Sequence, residues 1–248
     1  MRVAHITPIN YLTSRTDYHM ALTHLVLEGN EEYINHFRCL PSNDYIILDN
    51  SVIELGTAVS IEQVLEAAKI IGADEIILPD AFCDKDRTIE LLNEIMIAQK
   101  YHDIPYKMMA VPQGKTVEDW FECYNYILDL PIIHTIGIPK VIDTIFPGGR
   151  LALLDFLNDY RLIDESKEYH LLGVWNNPIE IRWAATFDWI RGVDSSVAYV
   201  CGSRGIRFDP YAGAEKPDCE WDFYETVPEE ALNDVLYNME VMEEWASK

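Results

Sequence analysis

At 248 residues the chain has the length of one eight-fold α/β barrel, for which ~250 residues is typical, rather than of two ordinary domains. Its 49% hydrophobic content can fill such a core, while 19 Lys and Arg against 42 Asp and Glu leave a net charge of −23. That charge repels polyanions and excludes broad nonspecific nucleic-acid binding, so any DNA or RNA contact has to be local. The five cysteines, Cys39, Cys83, Cys123, Cys201 and Cys219, are scattered without a CxxC pair, which argues against a zinc site or a disulfide framework and for a reducing cytoplasm. No signal-peptide pattern and no apolar run approaching the ~18 residues of a membrane span is present, so a soluble cytoplasmic protein without membrane association is expected.

Short apolar runs recur along the chain, each followed by a segment with helical spacing, the pattern of βα units around a parallel sheet. The first strand is expected at Val3 to Thr7, followed by helices over Asp17 to Glu28 and Glu31 to Cys39. Strand Tyr45 to Asp49 precedes a helix over Ser60 to Ile71, where Ser60 with Gln63 three residues on forms a capping box. Strands at Glu75 to Pro79, Lys107 to Val111 and Ile132 to Gly137 alternate with helices over Asp86 to Lys100, Thr116 to Leu128 and Arg150 to Tyr160. Strand Tyr169 to Gly173 leads to a helix over Pro178 to Ile190, with proline in the tolerated first turn, and then to strand Gly192 to Asp194. The eighth strand that closure needs is expected within Val197 to Phe208. The tail from Asp209 is acidic, with a final helix from Pro228 to Trp245 expected on the outside of the barrel. Without repeats or linkers, the chain reads as one (β/α)8 TIM-type barrel domain, the barrel to about residue 208 and an acidic helical extension over 209–248.

The C-terminal strand ends of such a barrel open on one face, where active sites lie. Here they carry Asp49 in LDNS, Asp80 in LPDAF, Gln113 in VPQG, Gly137 in IGIPK, Gly173 in LLGVW and Asp194 in GVDSS. An Asp that accepts and a Gln that donates can grip the edge of a purine-like base, and glycine lets a flat ligand approach the backbone. Asp80 and Gln113 suit that grip, which leaves Asp49 and Asp194 for the nucleophile and proton-transfer roles of sugar C1 chemistry. Taken singly, Asp194 equally fits a helix N-cap, and Asp49 and Asp80 fit ordinary turns. His5, His134 and His170 read as core or rim residues, and His19, His24, His36 and His102 fall on expected helices. No His, Cys or acid cluster has metal spacing, so neither metal nor cofactor is expected.

The order of these segments resembles the tRNA-guanine transglycosylase family, (β/α)8 pentosyltransferases that exchange guanine for a 7-deazaguanine through a covalent ribosyl-aspartate. LDNSVIELG is similar to the family's DSGGFQ-type segment, ILPDAF to its base-binding aspartate segment, VPQGKTVEDW to VQGG, IGIPK to GGL, LLGVWNNPIEI to MGVG, and GVDSSVAYVCGSRGI to the nucleophile segment with its following arginine. The resemblance covers Tyr45 to Ile206. It implies Asp194 as nucleophile, Asp49 as acid–base, and Asp80, Gln113, Gly137, Ile138, Asn50, Ser51 and Gly173 around the base. The family's zinc-binding CxCxxC is absent, its VGE glutamate gives way to Pro139 and Lys140, and Ser195 and Ser196 follow the nucleophile.

A zinc-free chain of this size, with LDN and LPD strand ends, is most similar to the phage-type DNA transglycosylases, which implies guanine, a 7-deazaguanine and DNA as partners, with tRNA less favoured and the host cytoplasm as the setting. Lys115, Lys140, Arg150, Arg204 and Arg207 are the candidates for a local basic rim, and a protein partner supplying DNA affinity is expected to assist. Two alternatives stay open from the residues alone: a non-catalytic purine or deazapurine binder, and an unrelated barrel enzyme such as a lyase or a hydrolase of free nucleosides.

Overall fold

The computed structural model describes residues 1–97, 104–174, 177–219 and 222–247 in full, and the backbone of 98–99. Among these residues the chain runs β1 (Arg2–His5), a 3₁₀ turn (Ile9–Tyr11), β2 (Tyr18–Leu22), α1 (Thr23–Leu27), α2 (Glu31–Arg38), β3 (Tyr45–Asp49), α3 (Val52–Leu55), α4 (Ile61–Ile71), β4 (Glu75–Ile77) and α5 (Lys85–Gln99). It continues through β5 (Lys107–Ala110), α6 (Val117–Leu128), β6 (Thr135–Pro139), α7 (Ile142–Ile145), α8 (Gly149–Asp159), β7 (Glu168–Leu172), α9 (Glu180–Ala184), β8 (Ile190–Ser195), α10 (Val197–Gly202) and α11 (Glu229–Ala246). The eight strands form one parallel sheet in the order β1-β8-β7-β6-β5-β4-β3-β2, a nearly closed (β/α)8 barrel with no ladder between β1 and β2 among the described residues.

Period-two alternation sorts each strand into an inner and an outer face. Ala4, Tyr18, Met20, Ile47, Ile77, Met109 and Val111 pack together inside the barrel. Their neighbours Val3, Ala21, Ile46, Leu48, Ile76, Met108, Ala110, Ile136, Ile138 and Leu171 join the larger cluster between sheet and helices. Two helices start on the caps that their sequence offers. Gln63 N–H donates to Ser60 Oγ at 3.4 Å and Ser60 N–H to Gln63 Oε1 at 3.1 Å, completing the capping box of α4, and Thr116 Oγ1 caps α6. Helix α11 lies against α10, α9 and β1, with Val235, Met239, Met242 and Trp245 buried. Asn238 fastens it by donating to the Ala198 and Ile206 carbonyls and accepting from Phe208 N–H.

Two expectations need correction. The eighth strand is not within Val197 to Phe208, which begins with α10; it is β2, Tyr18–Leu22, inside the span read as a helix from Asp17 to Glu28. All five β2 residues are buried, so the strand offers no apolar–polar alternation, and it runs straight into α1. The helix expected over Pro178 to Ile190 shrinks to α9, ended by Thr186 Oγ1 donating to the Trp183 carbonyl, and Ile190 already opens β8. His19 accordingly sits on β2 rather than on a helix. Lys100, His102 and the Trp175–Asn176 pair lie outside the described residues.

The β7–β8 ladder contains a bulge. Tyr169 pairs with Ile190 but His170 pairs with Gly192, so Arg191 is an extra residue on β8. Its guanidinium reaches Glu75 at 2.6 Å and Glu168 at 2.5 Å, with both Tyr18 and Tyr45 rings within 5.6 Å of it. This charged layer closes the end of the barrel from which the strands start.

Candidate active site at the barrel mouth

The strand ends converge on a cavity of about 180 Å³. Its polar wall comprises Asp49, Asn50, Glu54, Asp80, Gln113, Lys140, Asp194, Ser195, Ser196 and Lys216, and its apolar wall includes Ile6, Met20, Leu22, Ile77, Val111 and Leu172. That volume suits a small organic molecule, a few times the ~30 Å³ share of one liquid water.

Asp49 ends β3. Its Oδ2 accepts Ser51 N–H at 2.6 Å, a bond that goes with the left-handed conformation of Ser51, φ 58°. Desolvation raises the Asp49 carboxyl well above the usual range, and the charges of Glu54, Asp194 and Asp80 push it further the same way. Glu54, on the single turn of α3, is raised as well, by desolvation first and by Asp194 next. Asp80 is pushed up to about 6 by burial, against the lowering effect of two amides: Asn50 Nδ2 donates to Oδ1 at 2.6 Å and Gln113 Nε2 to Oδ2 at 2.5 Å. Both amides are anchored in turn, Asn50 to the Leu78 carbonyl and Val52 N–H, Gln113 to Cys83 N–H.

Asp194, on β8, receives His170 Nε2 at 3.0 Å and Gly173 N–H at 3.2 Å, both on Oδ1. Lys140 directly follows β6, and its side-chain stem passes over Gly173, whose added Cβ would lie 3.1 Å from Lys140 Cδ. Desolvation lowers the Lys140 amine, Lys216 lowers it further, and the carboxylates of Asp194 and Glu54 oppose the shift. The β6 and β7 ends that carry Lys140 and Gly173 are cross-tied by buried Arg150, which donates to the carbonyls of Ile138, Leu172 and Gly173 and pairs with Glu180.

The sequence-predicted residues divide clearly. Asp49, Asn50, Asp80, Gln113, Gly173, Asp194 and Lys140 line the cavity, Lys140 as part of its wall rather than of an outer rim. Ser51 is buried behind it against His24; Gly137 lies in the barrel interior against Leu172, Met109 and Val111; and Ile138 faces the helices. Lys115 is exposed away from the cavity, Arg204 bonds the Val200 carbonyl, Arg207 pairs with Asp234, and Arg150 is a buried cross-tie, so these do not assemble a basic rim at the mouth. Glu54 and Lys216 were not anticipated; they sit in loops and short turns whose position no strand periodicity marks. Among the described residues no group of His, Cys, Asp and Glu is arranged to hold a metal ion, and no helix is long and apolar enough to cross a membrane.

No protein-family model matches the chain, and no curated protein matches it. Among solved structures it is similar to CdNal from Clostridium difficile in complex with mannosamine, at 12% identity and a TM-score of 0.39 over 67% of this chain and 52% of that one. It is also similar to N-acetylneuraminate lyase from Mycoplasma synoviae, at 16% identity and a TM-score of 0.48 over 80% of this chain and 69% of that one. The chain thus spans about half the length of the first and about two thirds of the second, and at these identities the likeness is one of fold. These findings correct the transglycosylase reading: the similar structures are CdNal and an N-acetylneuraminate lyase, and neither is a guanine or 7-deazaguanine pentosyltransferase.

Proposed function

We propose that the barrel mouth is the active site of an enzyme that joins Lys140 to the carbonyl group of a small substrate, a carbon–carbon lyase of the Schiff-base type. The observation that carries this reading is the placement of Lys140 in one cavity wall with Asp49, Glu54, Asp80 and Asp194, where burial lowers the amine and raises the carboxyls of Asp49, Glu54 and Asp80. A desolvated lysine beside a second cation is the common way to a nucleophilic amine, and groups whose environments shift them in opposite directions mark acid and base roles.

In this scheme the neutral Lys140 Nζ attacks the carbonyl carbon and sheds a proton to Asp194. Glu54 and Asp49 supply the protons with which the carbonyl oxygen leaves as water, giving an iminium ion. With a β-hydroxy carbonyl substrate, a carboxylate then removes the hydroxyl proton, the bond between the α and β carbons breaks, and its electron pair moves toward the iminium nitrogen. An aldehyde departs and an enamine stays on Lys140; protonation at carbon and addition of water release the second carbonyl product and regenerate the amine. The apolar wall keeps bulk water from intercepting these steps. The five free cysteines support the further reading of a reducing, cytoplasmic setting.

The test is reductive trapping. Incubation with pyruvate, dihydroxyacetone or glyceraldehyde followed by sodium borohydride is expected to add one reduced probe to Lys140, read by peptide mass spectrometry, and to leave the Lys140→Ala protein unlabelled at that peptide. Absence of a Lys140 adduct with all three probes overturns the reading.

A further inference from the structure

The cavity is connected to the opposite end of the barrel by an unbroken file of hydrogen bonds through its interior. Arg191 Nε lies 3.1 Å from Tyr18 Oη, Tyr18 Oη 2.8 Å from His170 Nδ1, and His170 Nε2 3.0 Å from Asp194 Oδ1. Tyr18 and His170 are wholly buried, and Asp194 opens onto the cavity. The bulge at Arg191 starts the file, and Gly192 leaves room for the Tyr18 ring.

The polarity of this file is fixed by its first member. An arginine cannot accept, so Nε–H donates to the Tyr18 oxygen. The Tyr18 hydroxyl, with one proton, has His170 Nδ1 as its acceptor. Nδ1 is therefore the bare nitrogen, and the imidazole proton sits on Nε2, aimed at Asp194. An imidazolium would place two donors on Tyr18 Oη and leave its O–H without an acceptor in the barrel interior.

We propose that Arg191, Tyr18 and His170 form a one-way positioning relay that presents Asp194 to the cavity as a proton acceptor in a single orientation. His170 is the positioning residue of the site, and the role of Asp194 as the acceptor for Lys140 rests on the Schiff-base reading above. With Gly173 N–H as second donor, Oδ1 is tied from two sides, while among the described residues no donor reaches Oδ2. The groups that face His170 from its neighbours are Tyr18 on β2, Glu75 on β4, and Arg191 and Asp194 on β8. Burial holds the Tyr18 phenol protonated and lowers His170, both in the sense the relay requires.

Histidine ¹⁵N NMR tests the relay without reference to activity. His170 in the wild-type protein is expected as the neutral Nε2–H tautomer at pH 8, and Tyr18→Phe, which keeps the ring but removes the donor to Nδ1, is expected to produce a tautomer mixture. An Nδ1–H tautomer or an imidazolium in the wild type, or a Tyr18→Phe spectrum identical to it, overturns the proposal. The rate of borohydride-trapped imine formation at Lys140 supplies the functional arm. Tyr18→Phe is expected to lower it roughly 10-fold, the scale of one supporting hydrogen bond, and to move its pH profile, and His170→Gln, whose amide can still donate to Asp194, is expected to trap faster than His170→Ala. An unchanged rate and profile in Tyr18→Phe counts against the relay. If no probe traps at all, the Schiff-base reading fails while the tautomer still decides the relay.

Discussion

Gly192 lies so close to the ring of Tyr18 that a Cβ on it would sit 2.6 Å from Cε1 and 3.0 Å from the hydroxyl oxygen. The ring cannot retreat, because Arg2 and Arg191 flank it and Tyr45 stacks beside it at 5.9 Å. Gly192→Ala is therefore expected to cost about 1–3 kcal/mol, the usual penalty for overpacking, and to lower the melting temperature by several degrees in a chain of this size. A thermal melt that superimposes on the wild type would mean that the ring is not confined.

Asp80 gives stability a pH dependence of unusual sign. Its folded value of about 6 lies above its ordinary 3.8, so the native state binds the proton more tightly than the unfolded chain does. The stabilisation from that proton is complete below about pH 3.8 and is lost as pH rises to about 6, a total of about 3 kcal/mol at 1.36 per pKa unit. Asp80→Asn removes the titrating group. Urea unfolding at pH 4.5 and 7 is expected to show the wild type losing stability relative to the variant across that interval, and parallel pH dependences would refute the assignment.

Arg150 is a buried cation whose donors serve three carbonyls and one carboxylate at once. Replacing it with Met leaves Glu180 without its buried counter-charge and the ends of β6 and β7 without their tie. The expected loss is about 3–5 kcal/mol in urea unfolding, and Arg150→Lys, which keeps charge but not the planar fork, should recover only part of it. Full recovery by lysine would reduce the cross-tie to a point charge.

The lowered Lys140 amine makes a chemical prediction that needs no substrate. At pH 7.5 a larger share of it is neutral than in an ordinary lysine, and it reaches the cavity. Reductive methylation with formaldehyde and dimethylamine–borane is expected to modify Lys140 ahead of the exposed Lys115, followed by peptide mass spectrometry over time. Equal rates would remove the basis for a nucleophilic role.

The barrel was legible because seven of its strands end in apolar runs followed by Asp, Gly or Pro, and six of those ends bring a polar side chain or bare backbone to one face. β2 was not, because Tyr18–Leu22 is buried on both faces and carries residues as well suited to a helix. Asp49, Asp80, Gln113 and Asp194 were found as a set since strand ends of a barrel share one rim. The relay was hidden: Tyr18 and His170 are 152 residues apart, and the bulge that turns Arg191 inward leaves no mark in the residue pattern. The family resemblance failed for a related reason. Short Asp- and Gly-containing segments after strands are what turn chemistry favours in any parallel barrel, so their order alone does not carry an activity.

β1 and β2 stand at opposite ends of the strand order, and the side chains beside that seam, Ile6, Met20 and Leu22, belong to the cavity wall. Parting any other pair of neighbouring strands breaks several backbone bonds worth about 1 kcal/mol each, whereas among the described residues the seam has no ladder to break. The β1–β2 side of the mouth is thus closed by side-chain packing, and the β6–β7 side by ladder bonds together with the Arg150 tie.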